Sequence, residues 1–511
     1  MSRINTNVQS LVAQRVLGQN QYSLRNSLER LSTGLKINRG KDDPAGLIAS
    51  ENLRSELKAT DAAIDNANRA DQVVNIAEGG LQEVSGLLTE LQGLVTASAS
   101  KAGLSASEKA ANQLQIDSIL QTIDRVASAT SFQGQKLLNG NFDYKVSSVA
   151  GGVTDYKING AKFNAASLTA NVLVTQSAQQ GGVYLSFGGA SIDLAAANSS
   201  FTLEIGGALG SRELTFASGT TMANIQAAIH SFADITGVDA AVVNSGGSQG
   251  IKLFSSDFGS TQFTSVKIVN DGGISTTNLG VYNMQAGDFD VINTTRVSDF
   301  SSSPATAGYT DSGQDLGATI NGIVATATGK TARINTDSLD VQVTLDTSTS
   351  QTLGAVGGTS GALTITGGGA DFQLAGQVDI AGKVSLGVGD VAARKLGDTT
   401  LGFLNSLASG KANNIVTGDA GDAQKVIAKA VEQVSALRGR LGAFQKNVVG
   451  ATIRSLGIAA ENTAAAESSI RDADFATETS GLTRNQILVS ASTNVLALAN
   501  AAPQSVLQLL G

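Results

Sequence analysis

The 511-residue chain is long enough for several compact domains, and it holds no Cys, no Trp, one His and three Pro against 58 Gly. Without Cys there is no disulfide, thiolate nucleophile or Cys-ligated zinc, and the single His230 argues against a His metal site or a Ser–His–Asp triad. The net charge of −8 resides between Lys145 and Thr400, where 12 basic residues meet 20 acidic ones; the two ends together carry 23 of each. Nucleic acid is therefore not an expected partner, because a phosphate footprint needs concentrated positive charge.

The first residues, Met1 to Asn7, lack the apolar stretch of a secretory signal peptide, and no window of about 18 uninterrupted apolar residues suggests a membrane span. An external location would then require export without a cleaved signal. Residues 1–43 read as a helical arm: Leu17, Leu24 and Leu31 recur every seven, with Leu28 and Leu35 on the same stripe. The run Asn38 to Gly46 breaks it. Gly40, Asp42 and Asp43 interrupt the helix, Asp43 is placed to cap the next one, and Pro44 suits its first position.

Residues 44–144 then read as a second, longer helical part, with Leu53, Thr60, Ala67, Val74, Leu81, Leu88 and Val95 again every seven. A shorter stripe follows at Ile116, Ile119, Leu120, Ile123, Val126 and Ala127. Between 145 and 404 the composition turns to Gly, Ser and Thr. Short alternating runs such as Phe201/Leu203/Ile205, Val341/Val343/Leu345 and Val384/Leu386/Val388 predict antiparallel strands. A helical window at Thr221 to Phe232 interrupts them, and two modules are expected near 201–269 and 314–345. Gly-rich composition alone would also permit disorder there.

The helical signal returns at 405–466, where Ile427, Val434, Leu441 and Val448 interleave with Ala430, Leu437, Phe444, Ala451 and Ile458. A last arm, 467–511, carries Leu488, Val495, Ala502 and Leu509 with Ala491 and Leu498; Pro503 is expected to kink or open it. Apolar heptads that run to both termini have nothing local to bury against, so their partner must be the other terminus or another molecule. The fold class is thus α+β, with long terminal helices forming a coiled-coil rod and bundle around a β-rich centre. The arms are basic at the start (seven basic residues and one acid, Arg3 to Lys41) and acidic at the end (four acids and two Arg from Glu467).

Catalytic chemistry is not indicated. The acid pairs Asp42/Asp43 and Asp472/Asp474 lie where helices start, and capping explains them more simply than acid–base catalysis. His230 has no second His at helical spacing, and the Gly-rich run Val356 to Ala362 lacks the Lys-Ser/Thr of a phosphate loop. No cofactor is expected, and no enzyme.

Two long stretches resemble bacterial flagellin. Arg3 to Asn7, Leu31 to Asn38 and Lys41 to Gly46 are similar to the family's N-terminal signature; Ser469 to Glu478, Leu482 to Leu488 and Pro503 to Leu507 are similar to its C-terminal one. The resemblance implies a secreted subunit that polymerises into the flagellar filament for motility. Its inner layer would pair 1–43 with 467–511 through Leu17, Leu24, Leu28, Leu31, Leu35, Leu488, Val495, Leu498 and Leu509. An outer bundle would close on Leu53, Val74, Leu81, Leu88, Val95, Ile427, Val434, Leu437, Leu441, Phe444 and Val448, with 145–404 projecting outward as the variable region. Implied partners are further copies, an export chaperone, the filament cap and hook-junction proteins, with type III export and no membrane insertion. In the family an Arg near Leu88 to Val95 is recognised by the vertebrate Toll-like flagellin receptor. Here Glu90 stands there and Gln115 replaces a usual acid, although Leu94 fits, so weak receptor signalling is expected. A hook–filament junction protein and a filament subunit whose centre acts as an adhesin are the alternative readings.

Overall fold

The computed structural model describes residues 6–510 apart from 101–102, 164, 195–198, 246–247, 275–278, 286–287 and 359–360; side chains at 245, 248, 288–291, 294 and 503–510 are also outside the description. The chain forms two compact units. One gathers residues up to Val74, Phe372–Lys383 and the chain from Gly442 on; the other gathers Asn75–Asp371 and Val384–Leu441.

The first unit opens with α1 (Val8–Thr33), capped by the Asn7 side chain, which accepts from the Ser10 N–H at 3.0 Å. The helix stops earlier than the Asn38–Gly46 break expected from sequence. Gly34 adopts the left-handed conformation (φ 72°) and donates its N–H to the Arg30 carbonyl at 2.8 Å, a cap open to glycine without steric cost. Leu35 consequently lies outside the helix. It forms a β-bridge with Asp472, flanked by Lys36 N–H to Arg471 O at 2.7 Å and Ala473 N–H to Gly34 O at 2.9 Å.

Helix α2 (Pro44–Ser98) starts at Pro44. Its first part buries Thr60, Ala63, Ala67, Ala70 and Val74, alternating steps of three and four that keep one face inward. In the second unit the same rhythm continues through Ala77, Leu81, Val84, Leu88, Leu91 and Val95. The helical part expected over 44–144 divides into two long helices. A capping box at Ser105 and Glu108 starts α3 (Ala106–Ala129), with Ser105 N–H donating to Glu108 Oε2 at 2.7 Å and Glu108 N–H to Ser105 Oγ at 3.2 Å. Asn112 Nδ2 donates to Ser98 Oγ at 3.0 Å, tying α3 back to α2.

The central β region has two apolar cores. The first lies between a five-stranded sheet centred on Gly182–Ser186 and a four-stranded sheet that includes Phe263–Asn270 and Ser200–Gly207. Phe187, Phe201 and Phe300 meet at its middle with ring centroids 5.1–5.3 Å apart. Helix α4 (Met222–His230), capped by Thr221, adds Met222, Ile225 and Ile229, and a short α5 (Ala233–Thr236) follows. The second core is built from three smaller sheets, with α6 (Thr347–Gln351) beside it. Both cores extend beyond the expected windows. The first runs from Val183 to Ala305, and the second recruits Tyr144–Ala178 and Val356–Ile365, because antiparallel partners lie far apart in sequence (Val341 opposite Ile158).

Helix α7 (Ala420–Ala443) buries Ile427, Ala430, Val434, Leu437 and Leu441. Its seven-residue phase then slips. Phe444–Val449 winds as a π-helix, whose wider turn absorbs one extra residue, so Val449 is buried and Val448 only half-buried. Past that point α8 (Gly450–Arg471) has no buried residue, and Ala451 and Ile458, expected on the stripe, are exposed. Phe444 itself is buried beside Phe372, centroids 5.9 Å apart. Helix α9 (Phe475–Leu510) runs through Pro503 as helix rather than opening there.

Candidate assembly interface

Helices α1 and α9 lie antiparallel: as α1 ascends, its residues meet descending positions of α9. Ser10 Oγ donates to Asn500 Oδ1 at 2.7 Å, Asn20 Nδ2 to Ser492 Oγ at 2.6 Å, and Asn485 Nδ2 to Ser27 Oγ at 3.1 Å; Arg30 Nη1 sits 3.0 Å from Glu478 Oε1. Asn7 Nδ2 adds a bond to the Ala499 carbonyl at 2.7 Å. The ion pair, partly buried, joins the basic arm to the acidic one.

The contact seam is therefore small and polar. Ala13, Asn20 and Ser27 recur every seven on α1, as do Asn485, Ser492 and Ala499 on α9, and of these Ala13, Ser27, Ser492 and Ala499 are buried. This second heptad was legible in the sequence but is overlooked when only large apolar residues are counted. Small side chains let two helix backbones approach closely, and the amides and hydroxyls then fix the register.

The leucine stripe flanks the seam. Leu17, Leu24, Leu31 and Leu35 are half-buried, while Leu28, Leu488, Val495 and Leu498 are exposed; the Leu509 side chain lies outside the described residues. Val8, Val12 and Val16 face Leu488, Val495 and Leu498 across an apolar cleft of about 730 Å³. These six side chains are 39–74% exposed in the single chain.

At the far end of the pair, the two signature stretches meet in one crossing. Asp42 Oδ2 accepts from the N–H of Asn38 (3.2 Å) and Arg39 (2.9 Å); Asp43 Oδ1 accepts from the Gly46 N–H at 2.9 Å, at the start of α2. Asp472, expected at a helix start, is instead the C-terminal cap residue of α8. Asp474 precedes α9. The Thr477 hydroxyl at 2.8 Å, then the N–H groups of Ala476 and Thr477, hold its carboxyl below the usual carboxylate range. Ile37 is buried within this crossing, and Arg471 Nη1 reaches Glu51 Oε1 at 2.7 Å.

Of the bundle positions, Val74, Leu81, Leu88, Val95, Ile427, Val434, Leu437, Leu441 and Phe444 are buried, and Leu53 is half-buried. Arg438 Nε bonds Glu78 Oε1 at 2.8 Å, linking α7 to α2. Glu90 and Gln115 stand exposed, with Leu94 half-buried. His230 is exposed, its Nδ1 3.0 Å from Asp239 Oδ1. Among the described residues no cluster of three or more His, Asp or Glu could hold a metal ion.

Residues 4–143 match the family model for the bacterial flagellin N-terminal helical region, and 424–510 match the one for the C-terminal helical region. The chain is 31% identical to the flagellin of Salmonella typhimurium (strain LT2), covering 99% of both chains. It belongs to the bacterial flagellin family. Flagellin D of Vibrio anguillarum is 26% identical, again over 99% of both chains. Among solved structures, the flagellar cap protein FliD from Escherichia coli (domains D1–D2–D3) aligns with 50% of this flagellin and 63% of that chain, at 15% identity and a TM-score of 0.28. Flagellins are structural proteins of the bacterial flagellar filament, and this chain is a filament subunit. No helix among the described residues is long and apolar enough to cross a membrane.

Proposed function

We propose that the α1/α9 pair is the assembly element of this flagellin, and that its exposed apolar flank closes on neighbouring copies as the filament grows. The observation that carries this is the cleft between Val8, Val12 and Val16 on one helix and Leu488, Val495 and Leu498 on the other. Burying one such side chain is worth ~1.5–3 kcal/mol, so several per arm can drive association once copies meet. In this reading 1–43 and 467–511 form the inner layer, 44–144 and 405–466 the outer bundle, and 145–404 the solvent-facing surface. The acidic balance of that centre suits such a position.

The same exposed flank explains why a chaperone would cover the C-terminal helix before export, and why folding would finish under a cap at the growing end. Export would proceed without a cleaved signal through the flagellar type III apparatus, with hook-junction proteins at the base. No catalytic role is assigned. The test is seeded growth: full-length chain and a version lacking α9 are mixed with short filament fragments, and sedimentation is followed. Growth of the full chain alone supports the reading; equal growth of both refutes it.

A further inference from the structure

A polar cavity of about 450 Å³ lies between α7 and the base of the second β core. Its lining includes Arg440, Lys157, Lys395, Asn159 and Asp143. The volume is in the range that accepts a small molecule.

Arg440 projects from α7, and its only hydrogen bond among the described residues runs from Nη1 to Asn159 Oδ1, a neutral acceptor. Among the described residues no carboxylate lies within ion-pair distance, so most of its five donors have no acceptor there. Burial pulls its ordinarily very high pKa down against the attraction of Asp340, with repulsion from Arg333 adding to the fall and Asp143 opposing it.

The arginine is held in place from behind. Asn159 Nδ2 donates to Asp340 Oδ1 at 3.1 Å, and Asp340 receives Arg333 Nε at 3.2 Å and Nη2 at 3.0 Å. Asn159 sits at a β-bulge. Strand Leu339–Leu345 pairs Asp340 with Gly160 and Val341 with Ile158, leaving Asn159 as the extra residue. A bulge re-aims one side chain, and here it turns an amide so that its oxygen faces the guanidinium.

The charges around the cavity are unequally satisfied. Asp390 is paired with Arg394, Glu432 with Lys429 and Asp340 with Arg333. Lys157 and Lys395 make no ion pair among the described residues. The remaining carboxylate of the lining, Asp143, accepts the Tyr144 N–H at 2.8 Å; burial raises its pKa, while that N–H and the charges of Arg440 and Lys395 oppose the rise. Three cations thus converge on a lining whose one carboxylate outside these ion pairs is Asp143.

We propose that this cavity binds a small molecule carrying a carboxylate or phosphate group, with Arg440 as its principal donor and Lys157 and Lys395 completing the charge. The Arg333–Asp340–Asn159 chain positions the guanidinium, so its planar fork needs little ordering on binding. This site is independent of the terminal-arm assembly surface.

Calorimetric titration of monomeric full-length chain with inorganic phosphate and, separately, glucuronate would test it, with chloride matching the ionic strength. Saturable one-to-one binding of either anion is expected, and whichever binds more tightly assigns the ligand class. Arg440→Gln should weaken binding about tenfold or more, as loss of a charge-assisted fork implies. Lys395→Ala, at an exposed side chain with no ion pair among the described residues, should weaken it several-fold at unchanged melting temperature, and Asp143→Asn should strengthen it. Should Arg440→Gln fail to fold, the other two variants decide. The proposal is overturned if neither anion binds beyond matched chloride, or if Lys395→Ala and Asp143→Asn bind as the unaltered chain does.

Discussion

Replacing Val495 and Leu498 together by Ala separates assembly from folding. In the single chain Val495 is 56% and Leu498 is 74% exposed. Trimming them therefore costs the monomer little, within about 0.5 kcal/mol for exposed positions. In the filament the same atoms would be buried. At ~0.8 kcal/mol per carbon removed, two from Val and three from Leu, scaled by those exposures, come to ~2.7 kcal/mol of lost association energy. Since 1.4 kcal/mol is a factor of ten, the critical concentration for seeded growth should rise about a hundredfold. Sedimentation across a concentration series measures it, and urea unfolding of the monomer checks the fold. An unchanged critical concentration with an unchanged monomer would refute the assignment of this flank as the assembly surface.

Three further outcomes follow from the geometry and a fourth from the family resemblance. Phe201→Ala, at the centre of the three-ring cluster, should destabilise the first β core by about 3–5 kcal/mol in thermal unfolding, since the residue is fully buried. Gly439→Ala on α7, where an added Cβ meets nothing within 4 Å, should stabilise by about 0.5–1 kcal/mol; Gly152→Ala should destabilise, because φ is +95° and Thr349 Oγ1 occupies the Cβ position. Asp474 has a folded pKa below its unfolded value, so its contribution is present above the ordinary carboxylate range and lost as pH falls through the folded value. Circular dichroism should accordingly show Asp474→Ala less helical than the unaltered chain at neutral pH, the difference closing in acid. On the family resemblance alone, which puts Glu90 where a receptor-contacting Arg is usual, purified monomer should activate the vertebrate flagellin receptor less than an enteric flagellin does, and Glu90→Arg should raise the response in a reporter-cell assay.

The sequence determined much of the architecture through periodicity. Steps of three and four apolar residues identify a helix whatever surrounds it, so α2, α3 and α7 and most of their buried residues were legible directly. Alternation did the same for Phe201/Leu203/Ile205 and Val341/Val343/Leu345, all buried. Paired signatures at the two ends also carried the family. What periodicity does not contain is phase and partner. The π-helical turn at Phe444–Val449 moved the buried position from Val448 to Val449, a one-residue slip fixed by hydrogen bonding. The arms met through Ala13, Asn20 and Ser27 against Asn485, Ser492 and Ala499, because close backbone approach rewards small side chains over large ones. Likewise the Arg440 cavity joins residues 143, 159, 340, 395 and 440, which no local pattern connects. Burial along one element is a local property written in the chain; which faces meet, and which charges are left without partners, is decided only when distant segments pack.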